Sequence, residues 1–166
     1  MKHRLIGTFL LVFLTIQFVE AQVAIIPRPQ QEEARKGKLI LGRNIGIISD
    51  PYFDPTILYF KKLLLGRFGI SAYAATKVDE AQVMVSWDKT LEHEAYRLQI
   101  DATHIRIYAS DKSGLVNGIA SLDQLLSVAA QSGDQRELDA VEIKDKAQFT
   151  WRGFMLDESR HFFGKE

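Results

Sequence analysis

Apolar side chains recur at helical spacing in two segments of the chain. The first segment follows Asp54-Pro55 and ends before Gly69, which suits a helix because Asp favours the N-cap, Pro the first turn and Gly the position after the last turn. Its apolar positions are Ile57, Phe60, Leu64 and Phe68. The second segment carries a longer apolar stripe, at Leu115, Ile119, Leu122, Leu126 and Ala129. The spacing predicts two amphipathic helices, with Asp54 as the N-cap of the first.

Strict alternation of apolar and polar residues marks the middle of the chain, at 96–100 and 105–109. Because Asp101 to Thr103 lies between these runs, they predict a β-hairpin with one buried face. Apolar runs at 38–41 and 45–48, separated by Gly42-Arg43-Asn44, predict two strands joined by a turn. Further strands are predicted around Val83 and Val85, at 138–143, and from Phe149 to Leu156.

The order of these elements is strands, helix, strands, helix and strand. Two amphipathic helices with a sheet predict an α+β fold, a two-layer sandwich of a mostly antiparallel sheet with helices on one face. The stretch near Lys144 to Ala147 is a subtle domain boundary, because the residues after it are too few to bury a core of their own.

The first residues indicate export. Lys2, His3 and Arg4 form a basic start, and Leu5 to Phe18 is almost wholly apolar. Val19-Glu20-Ala21 then resembles a cleavage site, so residues 1–21 are predicted to be a signal peptide and the mature chain to begin at Gln22. The alternative is an uncleaved N-terminal anchor, although the apolar run is short for a membrane span of about 20 residues. We expect a periplasmic or extracellular protein.

Charge and composition narrow the chemistry. Lys plus Arg and Asp plus Glu both number 21, so no overall positive field favours nucleic acid or an anionic membrane. The absence of cysteine excludes disulfides and thiolate metal sites. His93 and His104 lack the H-E-x-x-H spacing of a zinc peptidase and are predicted to be solvated. Gly114 and Gly118 lack the Lys and Ser/Thr of a phosphate loop and indicate close helix–sheet packing.

Two segments of the chain carry a recognisable order of residues. The first segment runs from Glu94-Ala95-Tyr96-Arg97-Leu98, through Ile105-Arg106-Ile107-Tyr108-Ala109 and Gly114 to Gly118, to Leu122-Asp123-Gln124-Leu125. The second is Trp151-Arg152-Gly153-Phe154-Met155-Leu156-Asp157-Glu158-Ser159-Arg160-His161-Phe162-Phe163. Both segments resemble the bacterial type of glycoside hydrolase family 20, the β-N-acetylhexosaminidases. One departure is Ala147-Gln148, where the family often has Pro-Arg, and it bears on the linker between the two segments.

The resemblance implies a domain organisation. Residues 22–146 would form the family's N-terminal α+β domain, whose fold is likened to that of zinc peptidases (zincin-like). Residues 147–166 would begin the (β/α)8 catalytic barrel with its first strand, truncated, since a complete barrel needs about 250 residues.

For function, the resemblance implies exo-acting removal of terminal N-acetylglucosamine or N-acetylgalactosamine from a carbohydrate. The mechanism would be substrate-assisted and retaining: a Glu is the general acid, and a neighbouring Asp orients the 2-acetamido group that attacks the anomeric carbon. This Asp-Glu pair would lie beyond Glu166, so the chain alone is expected to be inactive. No cofactor or metal is implied. The competing hypothesis is a non-catalytic carbohydrate-binding or interaction module.

Five residues of the second segment have possible site or support roles by resemblance. Arg152 would bind hydroxyls of the terminal sugar, because a guanidinium fork can hold two neighbouring oxygens; the alternative is an Arg paired with a carboxylate. Asp157 and Arg160 would form an ion pair that braces the barrel mouth. His161 would line the pocket or cap a loop. Trp151 would stack on a sugar or, as we prefer, pack at the domain boundary.

Overall fold

Residues 25–153 and residue 155 are described in the structure, which is a computed structural model. These residues form two α-helices, α1 (Asp54–Phe68) and α2 (Lys112–Val128). They also form eight strands: β1 (Gln31–Leu41), β2 (Asn44–Ser49), β3 (Ser71–Ala74), β4 (Val83–Trp87), β5 (Tyr96–Ile100), β6 (Ile105–Ala109), β7 (Ala130–Ser132) and β8 (Gln135–Asp145). Short 3-10 turns lie at Pro51–Phe53 and Val78–Glu80.

The strands form one mixed sheet in the order β1-β8-β5-β6-β4-β2-β3, and β7 pairs with β8 outside this row. The pairs among β1, β5, β6, β7 and β8 are antiparallel. The pairs β2–β3, β2–β4 and β4–β6 are parallel. The α+β prediction is confirmed, but a mostly antiparallel sheet is found in one half only. Because α1 carries the chain from the end of β2 back to the start of β3, that pair must be parallel.

One face of the sheet is apolar and lies against the helices. The predicted hairpin is present as β5 and β6, and its alternating residues are buried as expected. Aligned buried residues cross the sheet in two rows: Ile47, Val83, Ile105, Ile100 and Val141, and then Val85, Ile107, Leu98 and Ile143. Both helices contribute to the same core as these rows, so the helices cover one face.

Helix α1 has the predicted apolar face and a different start. Ile57, Phe60 and Leu64 are buried. Asp54 is the first helical residue and does not cap it; instead Asp50 accepts a hydrogen bond from the Tyr52 N–H at 2.9 Å and caps the 3-10 turn that leads into α1. The predicted N-cap was therefore wrong, because Phe53 holds the position before α1 and makes no side-chain capping bond. At the other end Gly69 takes a left-handed φ of 66°, which confirms it as the residue that ends the helix.

Helix α2 packs closely on β5 and β6. Asp111 caps it by accepting a hydrogen bond from the Gly114 N–H at 2.8 Å. A Cβ on Gly114 would lie 2.4 Å from the carbonyl oxygen of Ala95, and a Cβ on Gly118 would lie 3.0 Å from Ile107 Cγ2. The two glycines therefore permit the close helix–sheet approach that the sequence indicated.

Strands β1 and β2 are both present as predicted, but they do not pair with each other. β1 pairs along its length with β8, from Gln31 opposite Lys144 to Leu41 opposite Arg136. β5 pairs only with 141–145 of β8, so the other half of the β1–β8 pair extends past the body of the sheet. There Arg136 lies over the ring of Phe68, 5.0 Å from its centroid, and the extension closes the end of the core.

The segment after β8 does not continue the sheet. Residues 146–153 and 155, all described, belong to no strand. The predicted first barrel strand is therefore absent over the described part of its span; a strand needs a neighbour to pair its backbone, and none of the described strands borders this segment. None of the helices in the described residues is long and apolar enough to cross a membrane. The predicted signal peptide lies outside the described residues.

Candidate functional site

A groove of about 660 Å³ lies where the chain enters and leaves the domain. The segment 25–30 forms one wall and the segment 145–152 the other. The floor is one side of α2, with Asn117, Ala120, Ser121 and Gln124, together with Tyr96 from β5. Arg152, the site residue carried over from the family motif, lines this groove.

Hydrogen bonds to side chains hold the first wall in place. The amide of Gln124 accepts from the Ile26 N–H at 2.8 Å and donates to the Ile26 carbonyl at 3.0 Å, so it pairs with the backbone as a neighbouring strand would. The Gln30 N–H donates to the carboxylate of Asp145 at 3.2 Å. Residues 25–30 therefore belong to the domain, beside the end of β8.

The floor of the groove carries no charged side chain. The hydroxyls of Tyr96 and Ser121 lie 2.6 Å apart in a buried hydrogen bond. Burial raises the pKa of Tyr96 to about 12, because the phenolate would lose its hydration. The phenol is therefore neutral at ordinary pH and bonds to Ser121.

Arg152 forms an ion pair with Glu94 in the structure. Its Nη1 donates to Glu94 Oε2 at 2.8 Å and to the carbonyl oxygen of Phe149 at 2.5 Å. Within the described residues its Nε and Nη2 have no partner, and the side chain is 49% exposed. Carboxylate pairing, weighed above as the alternative role for this residue, is thus present, while binding of sugar hydroxyls stays a prediction.

Glu94, the ion-pair partner of Arg152, is the residue that sequence reasoning missed. It opens the first resembling segment, and the motif assigns it no role. Its side chain is 17% exposed, and the hydrogen bond from Arg152 lowers its pKa. The signal that could have found it is the acidic pair Glu92 and Glu94 shortly before one strand, together with the basic Lys146 directly after another strand and Arg152 a few residues further on.

Asp111 joins the Glu94 loop to α2. It accepts hydrogen bonds from the N–H groups of Glu94 and Gly114, both at 2.8 Å, and contacts His93 Nδ1 at 2.7 Å. Burial alone would raise the pKa of Asp111, but these hydrogen bonds outweigh it and lower the pKa to about 2. The carboxylate stays ionised at the N-terminus of α2, where negative charge is favourable.

The remaining candidates of the sequence analysis are distributed as follows. His93 contacts Asp111, and His104 contacts Thr103 and Arg106; among the described residues no group of three or more acidic or histidine side chains is placed to hold a metal. Trp151 is 84% exposed, so it is not packed against the described part of the domain. Asp157, Arg160 and His161 lie outside the described residues.

Four carboxyl groups of the described part have pKa values shifted toward the ionised form. Burial opposes ionisation at Asp101 and Asp111, yet hydrogen bonds received by the carboxylates keep their pKa values low. The pKa of Asp88 is lowered by its hydrogen bonds from Thr90, and that of Glu94 by Arg152. A glycosidase general acid needs the opposite, a carboxyl whose pKa is raised. These four carboxyls are therefore not suited to protonate a leaving group.

Residues 22–146 match the family model "Glycosyl hydrolase family 20, domain 2". A β-hexosaminidase of Vibrio vulnificus is 29% identical over 144 residues, which are 86% of this chain and 16% of that protein. This chain therefore spans about a sixth of the length of that relative.

Solved structures give the same fold. A β-N-acetylhexosaminidase of Bacteroides fragilis superposes with a TM-score of 0.71 at 26% identity, over 82% of this chain and 27% of that one. A mutant β-hexosaminidase of Streptomyces plicatus in complex with its product GlcNAc gives 0.69 at 27% identity, over 84% of this chain and 29% of that one. Because the family model matches more than half of the chain, the protein belongs to glycosyl hydrolase family 20 and carries that family's domain 2.

Proposed function

We propose that this chain is part of an exo-acting β-N-acetylhexosaminidase that removes terminal N-acetylhexosamine from glycans by substrate-assisted, retaining hydrolysis. The observation that carries the proposal is the match of residues 22–146 to the family 20 model. The β-hexosaminidase relatives, one of them in complex with GlcNAc, support this substrate class.

In this proposal Arg152 holds hydroxyl groups of the terminal sugar. Its position at the groove and its two nitrogens without partners among the described residues, Nε and Nη2, support the role. These nitrogens point their N–H bonds along one side of the planar guanidinium, so they can donate to two neighbouring hydroxyl oxygens at once. Asp157, Arg160 and His161 remain candidates for support of the same pocket.

The chain alone is proposed to be inactive. Substrate-assisted hydrolysis needs a protonated carboxyl as general acid and a second carboxylate to orient the acetamido group. The four described carboxyls with shifted pKa values are all shifted in the direction of ionisation. The catalytic pair is therefore expected in the part of the relatives that this chain does not span.

Export is a separate part of the proposal. The basic start and apolar run of residues 1–21 support cleavage before Gln22 and a periplasmic or extracellular location. Mass spectrometry of protein recovered from the exported fraction should give an N-terminus at or near Gln22. An intact Met1 in the cytoplasm would contradict export.

The experiment that tests the enzymatic proposal compares the purified chain with a longer protein that includes the family's catalytic part. The longer protein should hydrolyse an aryl N-acetyl-β-glucosaminide with retention and leave the matching aryl β-glucoside intact, because only the first carries the acetamido nucleophile. The chain alone should hydrolyse neither. Inversion of configuration, or equal rates on both substrates, would refute the substrate-assisted mechanism.

Arg152→Ala in the longer protein provides the residue-level test. Loss of charge-assisted hydrogen bonds to the sugar should lower kcat/KM by about 10- to 100-fold. Arg28→Ala is the matched control, because Arg28 lines the same groove and the family motif gives it no role. Equal effects of the two substitutions would contradict the assignment of Arg152.

A further inference from the structure

The loop before β5 holds the segment after β8 through two separate ion pairs. Glu92 contacts Lys146 at 2.5 Å, and Glu94 contacts Arg152 at 2.8 Å. The sheet register explains why they meet: Tyr96 lies opposite Asp145 in the antiparallel pair of β5 and β8. Residues just before β5 therefore lie beside residues just after β8. We call Glu92 and Glu94 together the carboxylate clamp.

We propose that Glu94 is a positioning residue for Arg152, that it fixes which side of the guanidinium is offered to a sugar, and that Glu92 assists by holding Lys146. The inference rests on the proposed function in one respect, the assignment of sugar binding to Arg152. The contacts of the clamp themselves do not depend on it.

The backbone of Glu94 is held so firmly that its carboxylate has a defined direction. Its N–H donates to Asp111 at 2.8 Å, and its carbonyl accepts from Asn117 Nδ2 at 3.1 Å, so both backbone groups are tied to α2 or its cap. Glu94 also has a φ of 61°, the left-handed region that residues with a Cβ seldom occupy. A conformation of this kind persists only where the surroundings impose it.

The contact selects one nitrogen of Arg152. Glu94 and the Phe149 carbonyl both bind Nη1, the nitrogen on the Cδ side of the guanidinium. The opposite side, with the N–H groups of Nε and Nη2, is the one without partners among the described residues. The two N–H groups on that side have the geometry to donate to two adjacent acceptors, such as vicinal sugar hydroxyls. A carboxylate bound at Nε and Nη2 would instead have occupied the donors that those hydroxyls need.

The first test uses the chain itself and needs no substrate. Arginine Nε–H resonances and amide hydrogen exchange over 146–152 are measured by NMR in the wild type, Glu94→Gln and Glu92→Gln. We expect Glu94→Gln to broaden or shift the Arg152 Nε–H signal and to raise exchange at 149–152 by about two- to fivefold, the scale of a partly exposed ion pair. Glu92→Gln should change amide exchange near Lys146 and leave the Arg152 Nε–H signal unchanged. Identical responses to both variants, or none, would overturn the clamp.

Titration of the Glu94 carboxyl gives an independent readout. Arg152, His93 and Asp111 are the charged or titratable groups that act on it. Arg152→Ala should raise the measured pKa of Glu94, and Arg152→Lys should raise it less, because the cation is retained. An unchanged pKa in Arg152→Ala would show that the pair does not form in solution.

The second test uses the longer protein and separates positioning from stability. Glu94→Gln should raise KM several-fold at a similar melting temperature, and Glu94→Asp should restore part of the loss, whereas Glu92→Gln should change KM less. A clamp seen by NMR together with unchanged KM in Glu94→Gln would refute the positioning role. If the wild-type longer protein showed no hydrolysis at all, the proposed function would fail while the NMR result on the clamp stood on its own.

Discussion

The contact of Gly114 with the sheet allows one substitution to be worked through in detail. A Cβ added at this position would lie 2.4 Å from the carbonyl oxygen of Ala95 and 3.2 Å from the carbonyl carbons of Ala95 and Glu94. Carbon and carbonyl oxygen approach to about 3.3 Å even in favourable contacts. Gly114→Ala therefore requires the N-terminus of α2 to move by roughly 1 Å relative to β5, and the obstacle is backbone that cannot rotate away.

The expected cost combines two opposed effects. Overpacking in a well-packed interior costs about 1–3 kcal/mol, and this case belongs at the upper end because the backbone itself must shift. Ala improves the helix propensity by about 1 kcal/mol. The net loss in free energy of unfolding is about 2 kcal/mol, which for a chain of 166 residues lowers Tm by roughly 4–8 °C. The movement also strains the Asp111 cap, which binds the Gly114 N–H at 2.8 Å.

Urea denaturation followed by far-ultraviolet circular dichroism measures the effect as a lower midpoint with an unchanged slope. Gly66→Ala is the control, because Gly66 is exposed on α1 and an added Cβ meets nothing within 4 Å. That variant should be more stable than the wild type by about 0.5–1 kcal/mol. A Gly114→Ala protein as stable as the wild type, or a Gly66→Ala protein equally damaged, would refute the reasoning.

Three further outcomes are expected. Tyr96→Phe should lower the free energy of unfolding by about 1 kcal/mol, because it leaves the buried Ser121 hydroxyl without its partner. Adding Ser121→Ala to this variant should cause little further loss, as a double-mutant cycle measured by urea unfolding would show. The pKa of Asp111 is about 2 in the folded chain against 3.8 for a free carboxyl. Its contribution to the free energy of unfolding is therefore complete above about pH 4 and disappears as the pH falls toward 2. The difference in stability between the wild type and Asp111→Asn should accordingly be smaller in urea titrations at pH 3 than at pH 7. Removal of residues 147–166 should preserve cooperative thermal unfolding, because Phe149, Trp151 and Met155 are exposed; loss of a sharp transition would place that segment in the core.

Local patterns predicted the local structure well. The stripe from Leu115 to Leu126 and the alternation in 96–109 each depend on residues close in sequence, and both are found with the expected face buried. The close packing at Gly114 and Gly118 was also predicted, because a small residue on the buried side of a helix has few other uses.

Pairing between distant strands was not predictable from these patterns. Apolar runs show that 38–41 and 45–48 are strands, but not that β1 finds its partner about a hundred residues later in β8. A second register, that of β5 with β8, brings Glu94 to Arg152, 58 residues apart. The family motif pointed to Arg152 but not to Glu94, because this partner depends on how the sheet is assembled.

The pairing of Gln31 with Lys144 has a mechanical consequence. Both connections of the domain leave from one corner, at adjacent ends of two antiparallel strands whose hydrogen bonds lie across the strand direction. A pull between residues 30 and 146 would therefore act on one hydrogen-bonded pair at a time, as in opening a zipper, instead of shearing the whole ladder together. This corner is therefore the mechanically weak point of the domain, and the contacts of Gln124 with Ile26 and of Glu92 with Lys146 lie where such a pull would act first.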